Sequence, residues 1–281
     1  MRKILIPTDF SENAMNAIRY ALEVFKFDTS QFVVMNAFAD DVYENTREMP
    51  RAFFEEYKQK VEEATDRQLQ KVVAKMLEIS PNPKHEYSHV SVFDSLVDAA
   101  NDLANSENMD VIVMGTKGKT DDRDITFGSQ TLQVIKYVKC PVLLVPAGYH
   151  NGPLKNILFP TDYMVPYKRR ELKLVSTVAK NFGSKIHLLH LSKAKDLTHR
   201  KLDNRSFLEC TMDENMVSFI DIPGEDITGA IHSQITEQNP DLLVMVNSRH
   251  SYMESLLYRS TIEKIGLHIK IPFLVLQNLP R

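Results

Sequence analysis

The strongest constraint on the fold is an internal repeat. Residues 4–10, ILIPTDF, return as residues 157–163, ILFPTDY, and every exchange between the two copies keeps an apolar or aromatic side chain. Two further pairs of segments match in the same order along the chain, 110–114 with 241–245 and 139–145 with 270–276. A repeat that keeps the order of its segments indicates a duplicated structural unit. The length of 281 residues accommodates two domains of ordinary size.

Each copy has the pattern of an α/β domain. Apolar runs in the first copy are continuous rather than alternating, which is typical of parallel strands buried on both faces. These runs lie at 4–6, 32–35, 111–114 and 142–145, and the helical patterns that alternate with them lie at 11–27, 48–79, 94–106 and 129–138. The alternation predicts two tandem doubly wound domains, each a parallel sheet flanked by helices. Their predicted limits are 1–147 and 155–281, with a Gly- and Pro-containing linker at 148–154.

Charge and composition exclude several classes of partner. The 34 basic and 37 acidic residues give a formal net charge of −3, so no global basic field recruits nucleic acid or anionic lipid. No apolar stretch approaches the roughly 20 residues of a membrane span, and the first residues do not have the pattern of a signal peptide. Only two cysteines are present, which fits a reducing compartment better than a disulfide framework. We expect a cytoplasmic protein without nucleic-acid or membrane partners.

One candidate site follows the first strand. In open parallel sheets, ligands bind beyond the carboxyl ends of the strands, where Pro7, Thr8 and Asp9 lie in this sequence. The Asp9 carboxylate could accept hydrogen bonds from a ribose, or it could cap the helix that follows. Ser11 is a second candidate for the cap. The two roles of Asp9 therefore stay open.

The more informative segment is a glycine loop in the first copy. Gly115-Thr116-Lys117-Gly118 is followed by nine residues and then by Gly128-Ser129, at the start of a predicted helix. Glycines allow backbone N–H groups to approach phosphate oxygens and can adopt positive φ, and a helix N-terminus attracts anions. The spacing has no Walker lysine, and glycines in a loop often indicate only a turn.

The spacing Gly-x2-Gly-x9-Gly-Ser after the strand Asp-Val-Ile-Val-Met resembles the ATP-binding signature of the universal stress protein family. The resemblance extends along both halves and implies five-stranded sheets of order 3-2-1-4-5. It also implies that ATP lies under the glycine loop, with adenine against Ala37 and ribose near Asp9. Backbone contacts would come from Pro7, Thr8 and Met114. The ribose side and the phosphates would be held by Gly115, Gly118, Gly128, Ser129 and Gln130.

The loop between Gly118 and Gly128 contains three carboxylates, Asp121, Asp122 and Asp124. They would repel a triphosphate unless they face solvent or assist a divalent ion such as Mg²⁺ through its waters. Solvent-facing carboxylates are the preferred interpretation, and Mg²⁺ is left as an open addition to ATP.

The second copy lacks the signature. Asn247 replaces Gly115, His250 replaces Gly118, and Ser260-Thr261 replaces Gly128-Ser129. Added side chains occupy phosphate space, so we expect ATP in the first domain only. Arg249, His250 and Arg259 make this segment basic, for a contact with the first domain or for another anion.

These features predict a nucleotide-dependent stress or signalling module that acts through an unidentified protein partner. The alternatives are a slow ATPase and a nucleotide-free interaction scaffold. No catalytic nucleophile is indicated, and histidine pairs such as His187 with His190 lack the spacing or the third ligand of a metal site. The apolar strands 141–145 and 272–276 are expected to pair and to join the halves as an internal pseudo-dimer. A further homodimer is left open.

Overall fold

The computed structural model describes residues 1–48, 50–118, 127–149, 152–164, 167–192, 197–248, 253 and 270–278. These residues form two compact units. The first comprises 1–118 with 127–140, and the second comprises 141–278 within the described ranges. Among the described helices, none is both long and apolar enough to cross a membrane.

The first unit is a parallel sheet with helices. Its strands are β1 (Arg2–Pro7), β2 (Ser30–Ala37), β3 (His85–Val92) and β4 (Val111–Gly115), and its helices are α1 (Glu12–Val24), α2 (Ala39–Thr46), α3 (Arg51–Ile79), α4 (Leu96–Ser106) and α5 (Ser129–Tyr137). The strand order is β3-β2-β1-β4. The central strands form the core because their continuous apolar side chains, such as Ile4 and Ile112, are fully buried. Ser11 begins α1 by accepting a hydrogen bond from the backbone N–H of Ala14.

The region between β2 and β3 differs from the sequence prediction. A single helix was predicted over 48–79, whereas α3 begins at Arg51, directly after Pro50. A separate short helix, α2, precedes it and was not predicted. Pro50 has no backbone N–H, so it suits the start of a helix and not its interior. In α2 only Ala39, Val42 and Thr46 are buried, which is too few positions for a clear helical period.

The second unit repeats this architecture. Its parallel strands are β6 (Asn156–Pro160), β7 (Lys185–Ser192), β8 (Met216–Pro223), β9 (Leu242–Asn247) and β10 (Phe273–Gln277), and its helices are α6 (Arg169–Phe182), α7 (His199–Thr211) and α8 (Ile227–Gln238). The order β8-β7-β6-β9-β10 corresponds to 3-2-1-4-5. The predicted α/β fold class is therefore confirmed.

The strand β5 (Val142–Val145) from the end of the first sequence repeat belongs to the second unit. It pairs antiparallel with β10, with Leu143 opposite Leu274. The predicted contact between these two strands is therefore present. The pseudo-dimer and the domain limits at 147 and 155 stay predictions.

Candidate functional site

A cavity of about 430 Å³ lies at the carboxyl ends of the strands in the first unit. This volume falls within the range of small-molecule sites, about 300–1,000 Å³. Eight of the ten residues predicted for the site line it: Pro7, Thr8, Asp9, Ala37, Met114, Gly115, Gly118 and Gln130. The other two, Gly128 and Ser129, are adjacent in the chain to this lining at the start of α5.

The turn after β1 settles which residue caps α1. Phe10 has a φ of 63°, and its N–H donates to Thr8 Oγ1 at 3.0 Å. The Ser11 N–H donates to Asp9 Oδ1 at 3.0 Å, while Ser11 itself is the helix cap. Asp9 thus shapes the turn and does not cap the helix. Its other oxygen, Oδ2, lies 3.2 Å from the point that a Cβ atom on Gly118 would occupy.

Close approach, and not backbone conformation, favours glycine at Gly115 and Gly118, whereas a Cβ atom at Gly128 would meet its nearest neighbour at an ordinary 3.7 Å. Glycines can adopt positive φ, as noted from the sequence, but none of the three signature glycines does so. A Cβ atom on Gly115 would lie 3.3 Å from the carbonyl oxygens of both Asn13 and Lys117. Gly115 therefore lets the end of β4 approach α1 closely. Gly118 leaves room for the Asp9 carboxylate.

Helix α5 is fixed against the end of β4 by its first turn. Gly128 is the N-cap, and its N–H donates to the Thr116 carbonyl oxygen at 2.9 Å. The buried Thr131 hydroxyl donates to the same oxygen at 3.0 Å. The first N–H groups of a helix have no intrahelical partner and carry the positive end of its dipole. Ser129 and Gln130 supply such groups, whereas the positioning role of Thr131 was not predicted.

Another part of the cavity wall was also not predicted. Helix α3 contributes Val61, Ala64, Thr65 and Gln68, and the first turn of α2 contributes Asp40 and Asp41. The only sequence signal for the α3 residues is their spacing of three, four and seven positions, which places them on one face of a helix. Which element that face meets depends on tertiary packing, so the sequence alone did not identify it.

Among the described residues that line the cavity, acidic side chains outnumber basic ones. Asp9, Asp40 and Asp41 face the cavity together with a single base, Lys117. An anionic ligand would therefore depend on backbone N–H groups or on an accompanying cation. Asp121, Asp122 and Asp124 lie outside the described residues. Among the residues that are described, no three His, Cys, Asp or Glu side chains converge as a metal site.

The second unit keeps the same turn after β6, the strand that corresponds to β1 of the first unit. Tyr163 has a φ of 55°, and its N–H donates to Thr161 Oγ1 at 3.1 Å. The Met164 N–H donates to Asp162 Oδ1 at 2.8 Å. The repeat seen in the sequence therefore extends to individual hydrogen bonds.

Side chains of the second unit fill the space beside this turn. Strand register places His190 where the first unit has Asn36. His190 is 2% exposed, its ring lies 4.8 Å from that of Tyr163, and its Nδ1 lies 3.2 Å from Asp221 Oδ1. Lys201 Nζ is 3.4 Å from Nε2 of the same imidazole. Burial, and then the nearby Lys201 ammonium, lower the pKa of His190, although Asp221 and Asp162 oppose the shift.

Strand register corrects the expected equivalence of Asn247 with Gly115: Val246 lies at the Gly115 position, and its side chain is buried. Asn247 lies one residue further along, at the position of Thr116. Asn247 is buried, and its side chain donates to Gln277 Oε1 at 2.9 Å. The other replacements, His250 and Ser260-Thr261, lie outside the described residues, as do Arg249 and Arg259.

His187 and His190 are both buried, with separate partners: His187 Nδ1 lies 2.9 Å from Ser218 Oγ.

Known proteins of one family resemble this chain in sequence and in fold. A profile of the universal stress protein family matches residues 1–146. The chain is 30% identical over 158 residues to universal stress protein MJ0531 of Methanocaldococcus jannaschii, covering 51% of this chain and 81% of that protein. It is 28% identical over 157 residues to universal stress protein MJ0577 of the same organism, covering 51% and 94%. The crystal structure of a universal stress protein from Archaeoglobus fulgidus DSM 4304 matches with a TM-score of 0.73 and 21% identity, over 99% of this chain and 98% of that one. The chain belongs to the universal stress protein family.

Proposed function

We propose that the first unit binds one ATP and acts as a nucleotide-dependent stress or signalling module through a protein partner. The observation that carries the proposal is that residues predicted from separate segments of the sequence lie around one cavity. Predicted residues at the carboxyl ends of three strands, β1, β2 and β4, line one cavity of about 430 Å³. That cavity lies where open parallel sheets bind ligands.

Each end of the cavity suits one part of the nucleotide. Asp9 Oδ2 can accept a hydrogen bond from a ribose hydroxyl, and Ala37 offers an apolar surface to adenine. Backbone groups of Pro7, Thr8 and Met114 would contact the nucleoside. The phosphates would meet the backbone N–H groups of Gly115, Gly118, Gly128, Ser129 and Gln130. Mg²⁺ bound with the triphosphate would offset the carboxylates of the lining.

The second unit would bind no nucleotide in the equivalent place. His190 and Tyr163 fill the space beside the turn, and the buried Asn247 pairs with Gln277 at the end of β9. The proposed site is therefore a property of one unit of the duplicated fold.

Analysis of released nucleotide tests the proposal. Freshly purified protein is denatured, and the released small molecules are identified and quantified by mass spectrometry. We expect ATP from the wild type. In Gly118→His the added imidazole would enter the cavity, because the Cβ atom would already lie 3.2 Å from Asp9 Oδ2. We expect the bound ATP to fall by about tenfold or more, a loss that corresponds to at least 1.4 kcal/mol.

Gly152→His is the matched control. A Cβ atom at Gly152 meets nothing within 4 Å, and the residue does not line the cavity. This variant should release as much ATP as the wild type. Wild-type protein that neither releases ATP nor binds it when it is added would contradict the proposal.

A further inference from the structure

One wall of the cavity is formed by a single face of α3. Val61, Ala64, Thr65 and Gln68 lie on this face. Helix α3 packs on β3 and β2, whereas the glycine segment follows β4, on the other side of β1. The α3 face therefore lies toward the Ala37 end of the cavity, away from Gly118 and α5. In the proposed binding mode, that end receives the base.

Thr65 presents a hydroxyl on this face. The residue is only 6% exposed, yet it lines the cavity, and its Oγ1 is not one of the fully buried atoms that lack a hydrogen-bond partner among the described residues. Several other helical threonines bond to the carbonyl oxygen four residues earlier, as Thr46 does to Val42 at 2.7 Å and Thr177 does to Lys173 at 2.7 Å. A hydroxyl can both donate a hydrogen bond to a ligand and accept one from it. Thr65 thus lines the cavity with a polar group available to a ligand.

Gln68 lies three residues further along the same face and also lines the cavity. Its carboxamide offers a donor and an acceptor in one plane, the combination that pairs with the N6 and N7 atoms of adenine. Asp40 and Asp41 add carboxylates, which accept hydrogen bonds from an amino group and repel an oxo group. Val61 and Ala64 supply apolar contact with the ring.

We infer that the α3 face gives this site its base specificity, with Thr65 and Gln68 reading the edge of a 6-aminopurine. The inference rests on the proposed ATP binding and adds the residues that select the base. It predicts discrimination between ATP and ITP, because ITP differs at the base edge by a 6-oxo group in place of the amino group. Hydrogen-bonding sites reject ligands that leave their polar groups unpaired.

Calorimetric titration of ATP and ITP into the full-length protein tests the inference. The wild type should bind ATP about tenfold or more tightly than ITP, which corresponds to one hydrogen-bonded contact. In Gln68→Ala and in Thr65→Val the affinity for ATP should fall and the ratio between the two nucleotides should approach one. Thr65→Val keeps the shape of the side chain and removes only the hydroxyl.

Gln70→Ala is the matched control, because Gln70 is an exposed residue of α3 that does not line the cavity. Its nucleotide ratio should equal that of the wild type, and circular dichroism should show that all variants are folded. Equal affinity of the wild type for ATP and ITP, or an unchanged ratio in both cavity variants, overturns the inference while ATP binding stands. A wild type that binds neither nucleotide overturns the proposed function and the inference with it.

Discussion

At the residue scale, the structure gives Gly115 of the glycine signature a packing role. Gly115 ends a fully buried strand, and its Cα hydrogens face the carbonyl oxygen of Asn13 in α1. Neither that oxygen nor the Lys117 oxygen can move without moving backbone. Val246 shows the alternative, since the second unit has a buried side chain at the equivalent position.

Gly115→Ala should therefore destabilise the protein even without ligand. Added atoms in a close-packed site cost about 1–3 kcal/mol, and we expect a loss of that size in the free energy of unfolding. Urea titration followed by circular dichroism measures it. Gly152→Ala, where a Cβ atom would meet open space, should change the free energy by less than about 0.5 kcal/mol. If the two variants are equally stable, close approach does not explain the glycine.

At the element scale, the two units differ most in the helices between their second and third strands. The first unit has the 29-residue α3, one face of which lines the cavity. The second has the 13-residue α7, which binds the turn after β6 through Asn204, whose side chain donates to the Tyr163 carbonyl oxygen at 2.6 Å. The short helix is thus held on its own unit by polar contacts near the turn.

The His190 cluster makes this packing dependent on pH. The imidazole faces Asp221 on β8, Lys201 on α7 and Asp162 in the turn, and Arg205 of α7 lies 3.8 Å from Asp221. Because the pKa of His190 is lowered in the folded state, the unfolded chain takes up the proton first as the pH falls. Stability should therefore be complete above the ordinary histidine pKa of about 6.5 and should decrease below it.

Urea titrations at several pH values between 7.5 and 5.5 test this dependence. The wild type should lose more stability than His190→Gln over that range, since the variant cannot take up the proton. The comparison between the two proteins removes the contributions of His187 and His85, whose pKa values are also lowered by burial. Parallel pH profiles for the two proteins would assign the effect to other groups.

The sequence predicted the elements that have a strong local signal. The buried strands, α1, α4 and α5 and the segments after β1 and β4 were all recognised, because continuous apolar runs, caps and glycines are local features. Helix α2 was missed because it has few buried positions. The α3 face was missed because helical spacing does not reveal which cavity a face meets, and no local pattern shows that the hydroxyl of Thr65 lines the cavity.

At the scale of the whole molecule, duplication has preserved the fold and changed the site. Both units keep the parallel strand order and the threonine-centred turn. The core depends on buried apolar strands, which tolerate changes at the strand ends, so one fold can be kept while a site is lost. In the proposed account, His190, Tyr163 and Val246 fill the space that a nucleotide would need in the second unit.

The central claim is that one unit of a duplicated fold binds ATP, and the stoichiometry of binding tests it most directly. The measurement is a calorimetric titration of ATP and Mg²⁺ into protein from which nucleotide has been removed. The account predicts a single class of site with one ATP per chain. Two ATP molecules per chain would show that the filled second unit also binds, and no detectable binding would show that the cavity of the first unit is not a nucleotide site. Either result would contradict the account.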